Sequence, residues 1–248
     1  MITIKNEQEI KIMREAGRIL ATALKGIEKQ VKPGITTLEL DRACEALILS
    51  LGAKPAFKGH EGFPYSLCAS VNENIVHGYP SNYALKEGDI IGLDLGVLYK
   101  GYYSDMAITV AVGKVSFEAK RLINVAKKSL RLGIKKVRPG NTVGDIGNTI
   151  QRFVEDQGFS VVRSLCGHGI GKGLHEDPQI PNYGKRGAGE KFIEGMTICI
   201  EPMITAGDYN LKKSADGYGF ATKDNSLSAH FEHTIAVTKF GAKILTEV

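Results

Sequence analysis

The sequence contains no tryptophan, only four cysteines and no long apolar run among its 248 residues. The cysteines have no C-x-x-C spacing, which argues against a zinc finger or a dense disulfide framework and predicts reduced thiols. No stretch approaches the roughly 18 apolar residues of a membrane span. The first nine residues are too polar for a signal peptide. These absences predict a cytoplasmic protein with no membrane partner.

Strong charge of one sign is also missing. The net charge is only +5. The composition, with 43% hydrophobic and 24% charged residues, is typical of a soluble globular protein. Lysine and arginine are dispersed, and their short clusters at 127–128 and 135–138 are best explained as solvated helix faces. We therefore expect no specific nucleic-acid partner, although a mildly basic surface leaves docking on ribosomes open.

What the sequence does contain is a set of acids in apolar surroundings. Asp94 lies in Ile-Ile-Gly-Leu-Asp-Leu-Gly, and Glu201 ends Met-Thr-Ile-Cys-Ile-Glu. An unpaired charge in such a strand is strongly destabilising, and few basic residues lie nearby in the sequence to pair with it. A bound metal is the better explanation. Five residues are candidate ligands of one site, namely Asp94, Asp105, His168, Glu201 and Glu232.

Four carboxylates and one imidazole form a hard, oxygen-rich donor set. It suits Mn, Fe(II), Co or Zn, and it fits a tetrahedral structural zinc poorly. Four negative charges would balance two divalent cations that share a water or hydroxide. The chemistry that such a centre favours is hydrolysis of an amide or an ester.

The chain also repeats itself. Residues 5–30 have apolar residues at helical spacing, and Asn6 and Glu9 have the spacing of a capping box. Val31-Lys-Pro-Gly leads into a helix that stops at Gly52, and the matching segment from Val137, 106 positions later, leads into a helix that stops at Gly158. Residues 86–94 align with 193–201 at an offset of 107. Two long copies predict a duplicated half-domain.

Segments 89–99 and 102–112 predict a β-hairpin. If the chain folds near residues 99 and 100, Asp94 and Asp105 come roughly opposite each other, within one residue of register. Glu201 and Glu232 would form the equivalent pair in the second copy. The repeat thus predicts four carboxylates brought together at a pseudo-two-fold axis.

Two histidines lie in a glycine-rich run, Cys166-Gly-His-Gly-Ile-Gly-Lys-Gly-Leu-His. The glycines argue against a regular helix and favour a loop or strand close to a ligand, and the run lacks the ending of a phosphate-binding loop. Taken alone, His77 is best explained as a capping or solvent-facing residue, and Cys68 as a small buried hydrophobe.

Five motifs together resemble type I methionine aminopeptidase, collinearly over nearly the whole chain. They are Asn-Glu-Asn-Ile-Val-His-Gly from residue 72, Cys-Gly-His-Gly-Ile-Gly from 166, His-Glu-Asp-Pro-Gln-Ile-Pro-Asn-Tyr from 175, Gly-Met-Thr-Ile-Cys-Ile-Glu-Pro-Met from 195 and Phe-Glu-His-Thr-Ile-Ala-Val-Thr from 231. The resemblance implies an α+β pita-bread fold, in which helices cover a curved antiparallel sheet made of two pseudo-symmetric halves. It implies one catalytic domain over residues 1–248, with the repeat at roughly 31–112 and 137–238.

The same resemblance implies roles for single residues. The four acids and His168 would hold two divalent metal ions, and Glu201 would also act as general base and later as proton donor. His77 and His175 would contact the peptide, which changes the interpretation of His77 from structural to functional. The methionine pocket would be lined by Phe63, Cys68, Leu174 and Tyr218. Asn72 and Ser228 match positions near a monovalent-cation site.

Activity and partners follow from the resemblance as expectations. The protein would be a monomer that removes the initiator methionine from nascent polypeptides whose second residue is small. The sequence Gly-Tyr-Tyr-Ser-Asp from residue 101, however, resembles the related Xaa-Pro peptidases. His60 and Phe57 also occupy pocket positions where the family often has other residues. An Xaa-Pro aminopeptidase or dipeptidase on the same fold is therefore the main alternative, followed by a non-catalytic binding module.

Overall fold

Four helices form the outer layer of the protein, whose computed structural model describes residues 1–248. They are α1 (Glu7–Glu28), α2 (Thr37–Ser50), α3 (Phe117–Ile134) and α4 (Val143–Asp156). The predicted capping box at the start of α1 is present, because Asn6 accepts from the Glu9 N–H and Glu9 accepts from the Asn6 N–H. The second predicted helix ends at Ser50 and the third at Asp156, each within a residue or two of the glycine expected to stop it.

Fifteen short strands and one 3-10 turn make up the rest of the regular structure. The strands are β1 (Lys54–Pro55), β2 (Cys68–Val71), β3 (Asn74–Val76), β4 (Ile90–Tyr99), β5 (Tyr102–Ala111), β6 (Ser160–Val161), β7 (Gly167–Gly169), β8 (Glu176–Ile180), β9 (Thr197–Ile200), β10 (Met203–Thr205), β11 (Leu211–Lys213), β12 (Phe220–Thr222), β13 (Ser228–His230), β14 (His233–Thr238) and β15 (Gly241–Ile244), with the turn at His60–Gly62. Helices and strands are segregated in sequence rather than alternating, as expected of the α+β class.

All strand pairings are antiparallel. In one sheet β4 pairs with β5 on one side and with β1 and β2 on the other, and in another the order is β15-β14-β9-β7-β8. Two three-stranded sheets, β13-β10-β6 and β11-β12-β3, complete the layer. The two larger sheets meet at β5, where the Glu232 N–H donates to the Ala107 carbonyl.

The two halves of the chain have matching local structure. An isolated antiparallel bridge pairs Thr36, before α2, with Ala84. Its counterpart pairs Thr142, before α4, with Lys191. Corresponding members of the two bridges are separated by the offsets of the sequence repeat, 106 and 107 residues. In each half, a residue before a helix thus pairs with a residue that precedes the strand carrying or leading to an acid.

The β4–β5 hairpin forms as predicted, but its register differs from the expected one. Asp94 pairs with Ala107, and Asp105 pairs with Gly96, so the two acids are two residues out of register. The turn lies at residues 100–101, because Tyr99 pairs with Tyr102. Since pairing partners two apart point to the same face, the acids remain diagonal neighbours on one surface of the hairpin.

Each half has its own buried cluster beneath its pair of helices. In the first half Leu24 of α1 belongs to one cluster with Leu93 of β4. In the second half Leu122 of α3 and Ile150 of α4 belong to another with Ile198 of β9. Burying a side chain of this size stabilises the fold by about 1.5–3 kcal/mol, so the helices are held firmly to the sheet that carries the acids. None of the four helices combines the length and the apolar composition that a membrane span requires.

Candidate metal centre and active site

Three buried carboxylates meet between the two larger sheets. Asp94 lies on β4, Asp105 on β5 and Glu232 between β13 and β14, and their oxygen atoms lie within 4.8 Å of one another. Each side chain is at least nine-tenths buried, and Asp94 Oδ1, Asp105 Oδ1 and Glu232 Oε1 have no hydrogen-bond partner. Buried acceptors of this kind nearly always have a partner in native proteins. These three oxygens therefore point to a ligand.

The charges of these acids have no neutralising lysine or arginine. Burial raises the pKa of Asp94 to about 7, although the charge of His230 opposes it. Burial, followed by repulsion from Asp94 and Glu201, raises the pKa of Asp105 well above its usual value. Burial and repulsion from Asp105 do the same for Glu232. A cation in their midst would reverse these effects, because it favours the charged form.

Glu201 follows β9 and faces two imidazoles. Its Oε1 lies 3.6 Å from His168 Nε2, and its Oε2 lies 3.5 Å from His230 Nε2. Burial would raise the pKa of Glu201, but the nearby imidazoles of His230 and His168 outweigh it and leave that pKa below its usual value. The Asn182 amide donates to the Glu201 carbonyl at 2.9 Å and fixes the main chain there. Glu201 is thus the acid of the site that stays ionised most easily.

Hydrogen bonds fix the strands that carry the other ligands. The Asp105 N–H donates to Thr234 Oγ1 at 2.9 Å, and that hydroxyl donates back to the Asp105 carbonyl at 2.8 Å. His168 lies in β7, as expected of a strand rather than a helix, and its Nδ1 lies 2.8 Å from the Gly169 carbonyl. With Nδ1 occupied by that carbonyl, Nε2 is the nitrogen left to bind a metal.

One cavity of about 380 Å³ is lined by every predicted metal ligand and every residue predicted to contact the substrate. The five candidate ligands line it together with His77 and His175. Its remaining wall is mostly apolar and is formed by Phe57, Phe63, Cys68, Leu174, Tyr218 and Phe220. Residues that are more than 100 positions apart in the sequence therefore meet around one space, which we call the inner cavity.

Aromatic rings in contact make the apolar end of the inner cavity rigid. Tyr218 stacks on Tyr79 with ring centres 5.0 Å apart, and Phe63 packs against Tyr218 at 5.3 Å. The Asp216 carboxylate accepts main-chain N–H bonds from Tyr79, Tyr218 and Gly219, which ties the two tyrosine segments together. The pocket is consequently preorganised for an apolar side chain.

A second cavity, of about 590 Å³, opens on the other side of the histidines. It shares His77, His168, His175 and Glu201 with the inner cavity. Its remaining wall includes Val76, Leu165, Cys166, Gln179 and Met203. We call this space the outer groove. The shared residues form the boundary between the two spaces, so a molecule lying across that boundary would pass directly by Glu201.

His77 and His175 stand at this boundary as neutral bases. Burial lowers the pKa of His77, and its backbone adopts a left-handed φ of 58°, which is unusual for a residue other than glycine. Burial and the neighbouring His168 lower the pKa of His175 to about 4. Held neutral, both imidazoles can donate and accept hydrogen bonds at neutral pH. Strained backbone at such a position is typical of functional sites.

Several residues near the site were not predicted from the sequence. His230 is almost fully buried beside Glu201, and its Nε2 has no hydrogen-bond partner. Glu61 and Lys213 place opposite charges on the wall of the inner cavity. The only signal for His230 was its position two residues before Glu232, on the same side of an extended strand. The predicted pair Asn72 and Ser228 lies together outside both cavities, with the Ser228 hydroxyl donating to the Asn72 carbonyl at 2.9 Å.

The donor set fits divalent metal ions. Asp94, Asp105 and Glu232 form one compact group, and Glu232 belongs with His168 and Cys199 to a second group within 4.8 Å. Cys199 Sγ lies 3.6 Å from Thr234 Oγ1, and a soft thiol suits this oxygen-rich set less well than the carboxylates do. The orphaned carboxylate oxygens are the observation that supports metal binding.

Comparison with known proteins agrees with this geometry. A sequence model described as metallopeptidase family M24 matches residues 11–239. The chain is 50% identical over 246 residues to a methionine aminopeptidase of Clostridium perfringens, and the match covers 99% of both chains. Its structure superposes on the crystal structure of methionine aminopeptidase from Rickettsia prowazekii with a TM-score of 0.98 and 45% identity, over the full length of both chains.

A more distant structural relative is the prolidase from Pyrococcus horikoshii OT3. The TM-score is 0.81 at 26% identity, and the match covers 99% of this chain but 63% of the prolidase. The extent of these matches confirms the expected α+β pita-bread fold. The chain belongs to metallopeptidase family M24.

Proposed function

We propose that the protein is a metal-dependent methionine aminopeptidase that removes the N-terminal methionine of nascent polypeptides when the second residue is small. The observation that carries the proposal is the inner cavity, where a rigid apolar pocket ends at a cluster of buried carboxylates with unsatisfied oxygens. The similarity to methionine aminopeptidases over the full chain supports it. We also propose that residues 1–248 act as one catalytic domain.

We propose two divalent ions in the inner cavity. Asp94, Asp105 and Glu232 would hold one, and Asp105, His168, Glu201 and Glu232 would hold the other. When bound, such ions acidify a water molecule and polarise a carbonyl. The identity of the ions is a choice among Mn, Fe(II), Co and Zn, because carboxylate and imidazole donors suit all four.

Glu201 would move the proton in the reaction. It lies at the boundary between the inner cavity and the outer groove, where the scissile bond would lie in this proposal. Because the adjacent imidazoles keep its pKa low, it is ionised at neutral pH and can accept a proton from the attacking water. It would then deliver that proton to the amine of the departing peptide.

His77 and His175 would bind the substrate at the same boundary. A neutral imidazole can donate to a peptide carbonyl and stabilise the negative charge that develops on its oxygen. Both rings have lowered pKa values, so neither carries a permanent charge that would disturb the ions nearby. They would thus act by orientation and hydrogen bonding rather than by charge.

The two cavities divide the substrate between them. Phe63, Cys68, Leu174 and Tyr218 would surround the methionine side chain, for which sulfur–aromatic contacts are favourable. The peptide beyond the scissile bond would lie in the outer groove, near Cys166. A small second residue would be required if the histidines at the boundary leave little room beside the bond.

An Xaa-Pro peptidase is the second candidate. The Gly-Tyr-Tyr-Ser-Asp sequence and the structural similarity to a prolidase favour it. The aromatic wall of the inner cavity favours methionine as the N-terminal residue, because a thioether is held well by apolar and aromatic contacts. Comparing hydrolysis of Met-Ala-Ser with that of Ala-Pro-Ala separates the two activities.

Release of methionine should be measured anaerobically, with each metal added singly and with metal analysis of the purified protein. Glu201→Gln should lower kcat by about 100-fold or more, because it removes the proton acceptor. Glu194→Gln, an exposed substitution seven residues earlier, is the matched control and should have no effect. Hydrolysis of Met-Ala-Ser that survives complete chelation would contradict the proposal.

Location, partners and a monovalent cation complete the proposal. We propose a cytoplasmic monomer whose partners are nascent polypeptide N-termini, with docking on the ribosome as a further proposal to be tested by cosedimentation. We also propose a monovalent cation near Asn72 and Ser228. The carbonyl oxygens of Asn72 and Asn74 converge on the Ser228 hydroxyl, so oxygen donors for a cation are close together there. Comparing stability in potassium and in a large organic cation tests this site.

A further inference from the structure

A buried ion pair joins the segment before α1 to the start of β8. Lys5 Nζ lies 2.6 Å from Glu176 Oε2, and the two side chains are only 5% and 13% exposed. By contrast, Lys100 and Glu15 form a pair whose side chains are 56% and 42% exposed. Exposed pairs contribute little to stability, whereas a buried pair must fit closely to offset the loss of hydration. The Lys5–Glu176 pair therefore fixes the segment before α1 and the start of β8 relative to each other.

Glu176 is attached to the turn that carries His175. Its Oε1 accepts the Gly173 N–H at 2.9 Å and so closes the four residues 173–176. Its Oε2 also accepts from the Thr3 hydroxyl. Between the two ends of this turn lie Leu174, on the apolar wall of the inner cavity, and His175, at its boundary with the outer groove. One carboxylate thus connects the N-terminal segment to two residues of the site.

Lys5 also contacts the other end of the connection between β7 and β8. A Cβ atom at Gly171 would lie 2.3 Å from Lys5 Cε, so the lysine side chain runs directly over that glycine. The main chain of Lys5 is fixed as well, because its N–H donates to the Gly195 carbonyl at 2.8 Å. Lys5 is therefore enclosed between Gly171 and Glu176 and limits the movement of the residues between them.

His175 depends on this support because its ring has no hydrogen bond from the protein. Its imidazole packs against two other rings, with centres 4.5 Å from His168 and 5.6 Å from His60. Ring contacts of this kind tolerate sliding, whereas a hydrogen bond to substrate does not. The backbone of the turn must consequently determine where the imidazole points.

We propose that Lys5 and Glu176 are positioning residues that hold His175, and with it Leu174, in the geometry needed to bind the peptide. The inference rests on the substrate-contacting role proposed above for His175. Lys5 lines neither cavity, whereas Glu176 also lines the outer groove, so Lys5 is the partner that can act only through the turn. Displacement of a binding group by about 1 Å can lower a rate by about 100-fold, so the expected effect is large.

The test is a double-mutant cycle. Release of methionine from Met-Ala-Ser is measured for the wild type, Lys5→Met, His175→Ala and the combined variant, each with saturating metal. Lys5→Met should lower kcat/KM by about 10- to 100-fold when His175 is present and by less than about 2-fold when it is absent. Equal losses in both backgrounds, or no loss in the first, would overturn the inference.

The cycle also separates this inference from the proposed function. If His175→Ala keeps full activity, the role proposed for His175 is wrong, and the positioning inference is overturned with it. If His175→Ala is impaired but Lys5→Met is harmless, only the positioning inference is overturned. Lys172→Met is the matched control, because Lys172 lies on the same connection but is 74% exposed and 3.9 Å from Glu9. It should retain activity.

Removing one partner of a buried pair can prevent folding, so a second variant is needed. Lys5→Met combined with Glu176→Gln leaves no stranded charge and keeps an acceptor for the Gly173 N–H. We expect it to fold, to retain metal affinity and still to lose kcat/KM by about 10-fold or more. Hydrogen exchange of the Gly173 amide, measured without metal, should be faster than in the wild type. Full recovery of activity in this variant would overturn the inference.

Discussion

Asp94 and Asp105 are diagonal neighbours on one face of the β4–β5 hairpin, not directly opposed partners. Asp94 pairs with Ala107 and Asp105 with Gly96, and the absence of a side chain at position 96 lets Ala56 and Phe57 approach the strand there. A Cβ atom at Gly96 would lie 2.9 Å from both Ala56 Cβ and Phe57 Cε1. The diagonal arrangement places the two carboxylates side by side while the ladder between their strands stays intact.

Asp105→Asn should stabilise the metal-free protein and weaken metal binding. Burial and repulsion hold the pKa of Asp105 far above its unfolded value, so the cost of ionising it grows as pH rises. The variant should therefore gain about 1–2 kcal/mol in the free energy of unfolding at pH 8, with the gain shrinking towards pH 4. Chemical denaturation with a chelator present measures it. With metal added, the wild type should have the larger free energy of unfolding of the two proteins.

Asp89→Asn is the matched control for that substitution. Asp89 is also a buried acid, but its carboxylate accepts from the Asn72 amide, the Tyr83 hydroxyl and the Lys86 N–H, each at 2.9 Å. Loss of charge-assisted hydrogen bonds should lower the free energy of unfolding by about 1–2 kcal/mol with or without metal. If both variants lost stability equally in chelator, Asp105 would not be a strained metal ligand.

Local patterns explain how much of the fold and site could be predicted. Acids in apolar strands identified Asp94 and Glu201, and turn and capping residues gave the helix ends to within one or two positions. The hairpin register was wrong because the turn is centred one residue later than expected, at Lys100 and Gly101. Moving a turn by one residue moves every pairing by two, so a small local error displaced Asp105 by two positions along its partner strand.

Contacts between distant segments could not be predicted. Glu201 and His230 meet because β10 pairs with β13, and a single sequence has no information about that pairing. The contact of Lys5 with Glu176 joins residues 171 positions apart. Neither His230 nor Lys5 lies in a pattern that indicates burial, since each is a polar residue at the edge of a strand or helix. Only the tertiary structure gives them a role.

His230→Leu should weaken metal binding through Glu201. His230 Nε2 lies 3.5 Å from Glu201 Oε2, and its main chain is fixed by two bonds of 2.9 Å with the Thr109 hydroxyl. Leucine fills similar space but cannot orient the carboxylate. We therefore expect a loss of metal affinity of roughly 10- to 100-fold, as is usual when a group that orients a metal ligand is removed. Isothermal titration calorimetry measures it. His230→Gln keeps a donor and should retain most of the affinity, and equal losses in both variants would contradict the role in orientation.

Gly169→Ala should disrupt the strand that carries His168. A Cβ atom at position 169 would lie 2.0 Å from the Asp177 carbonyl oxygen, and backbone cannot move aside as a flexible side chain can. We expect a loss of about 1–3 kcal/mol in the free energy of unfolding, together with weaker metal binding. Gly92→Ala is the control, because its nearest neighbours, atoms of Ser70, lie at an ordinary 3.5 Å. Equal melting temperatures of the two variants would show that β7 and β8 can move apart without a loss of stability.

Cys166 should be the first of the four cysteines to react with iodoacetamide in the folded protein. Cys44, Cys68 and Cys199 are buried, and burial raises the pKa of each thiol, so little reactive thiolate is accessible. Burial raises the pKa of Cys166 as well, so its reaction should be slow, but it is only half-buried and lines the outer groove.

Mass mapping of peptides after short exposure to the reagent identifies the modified thiol. Because the added group would occupy the outer groove, activity on Met-Ala-Ser should fall in parallel with modification of Cys166. Cys166→Ser should retain activity and resist the reagent, since its hydroxyl is not a nucleophile at neutral pH. Inactivation of that variant at the wild-type rate would mean that the reagent acts elsewhere and that modification of Cys166 is not the cause of the lost activity.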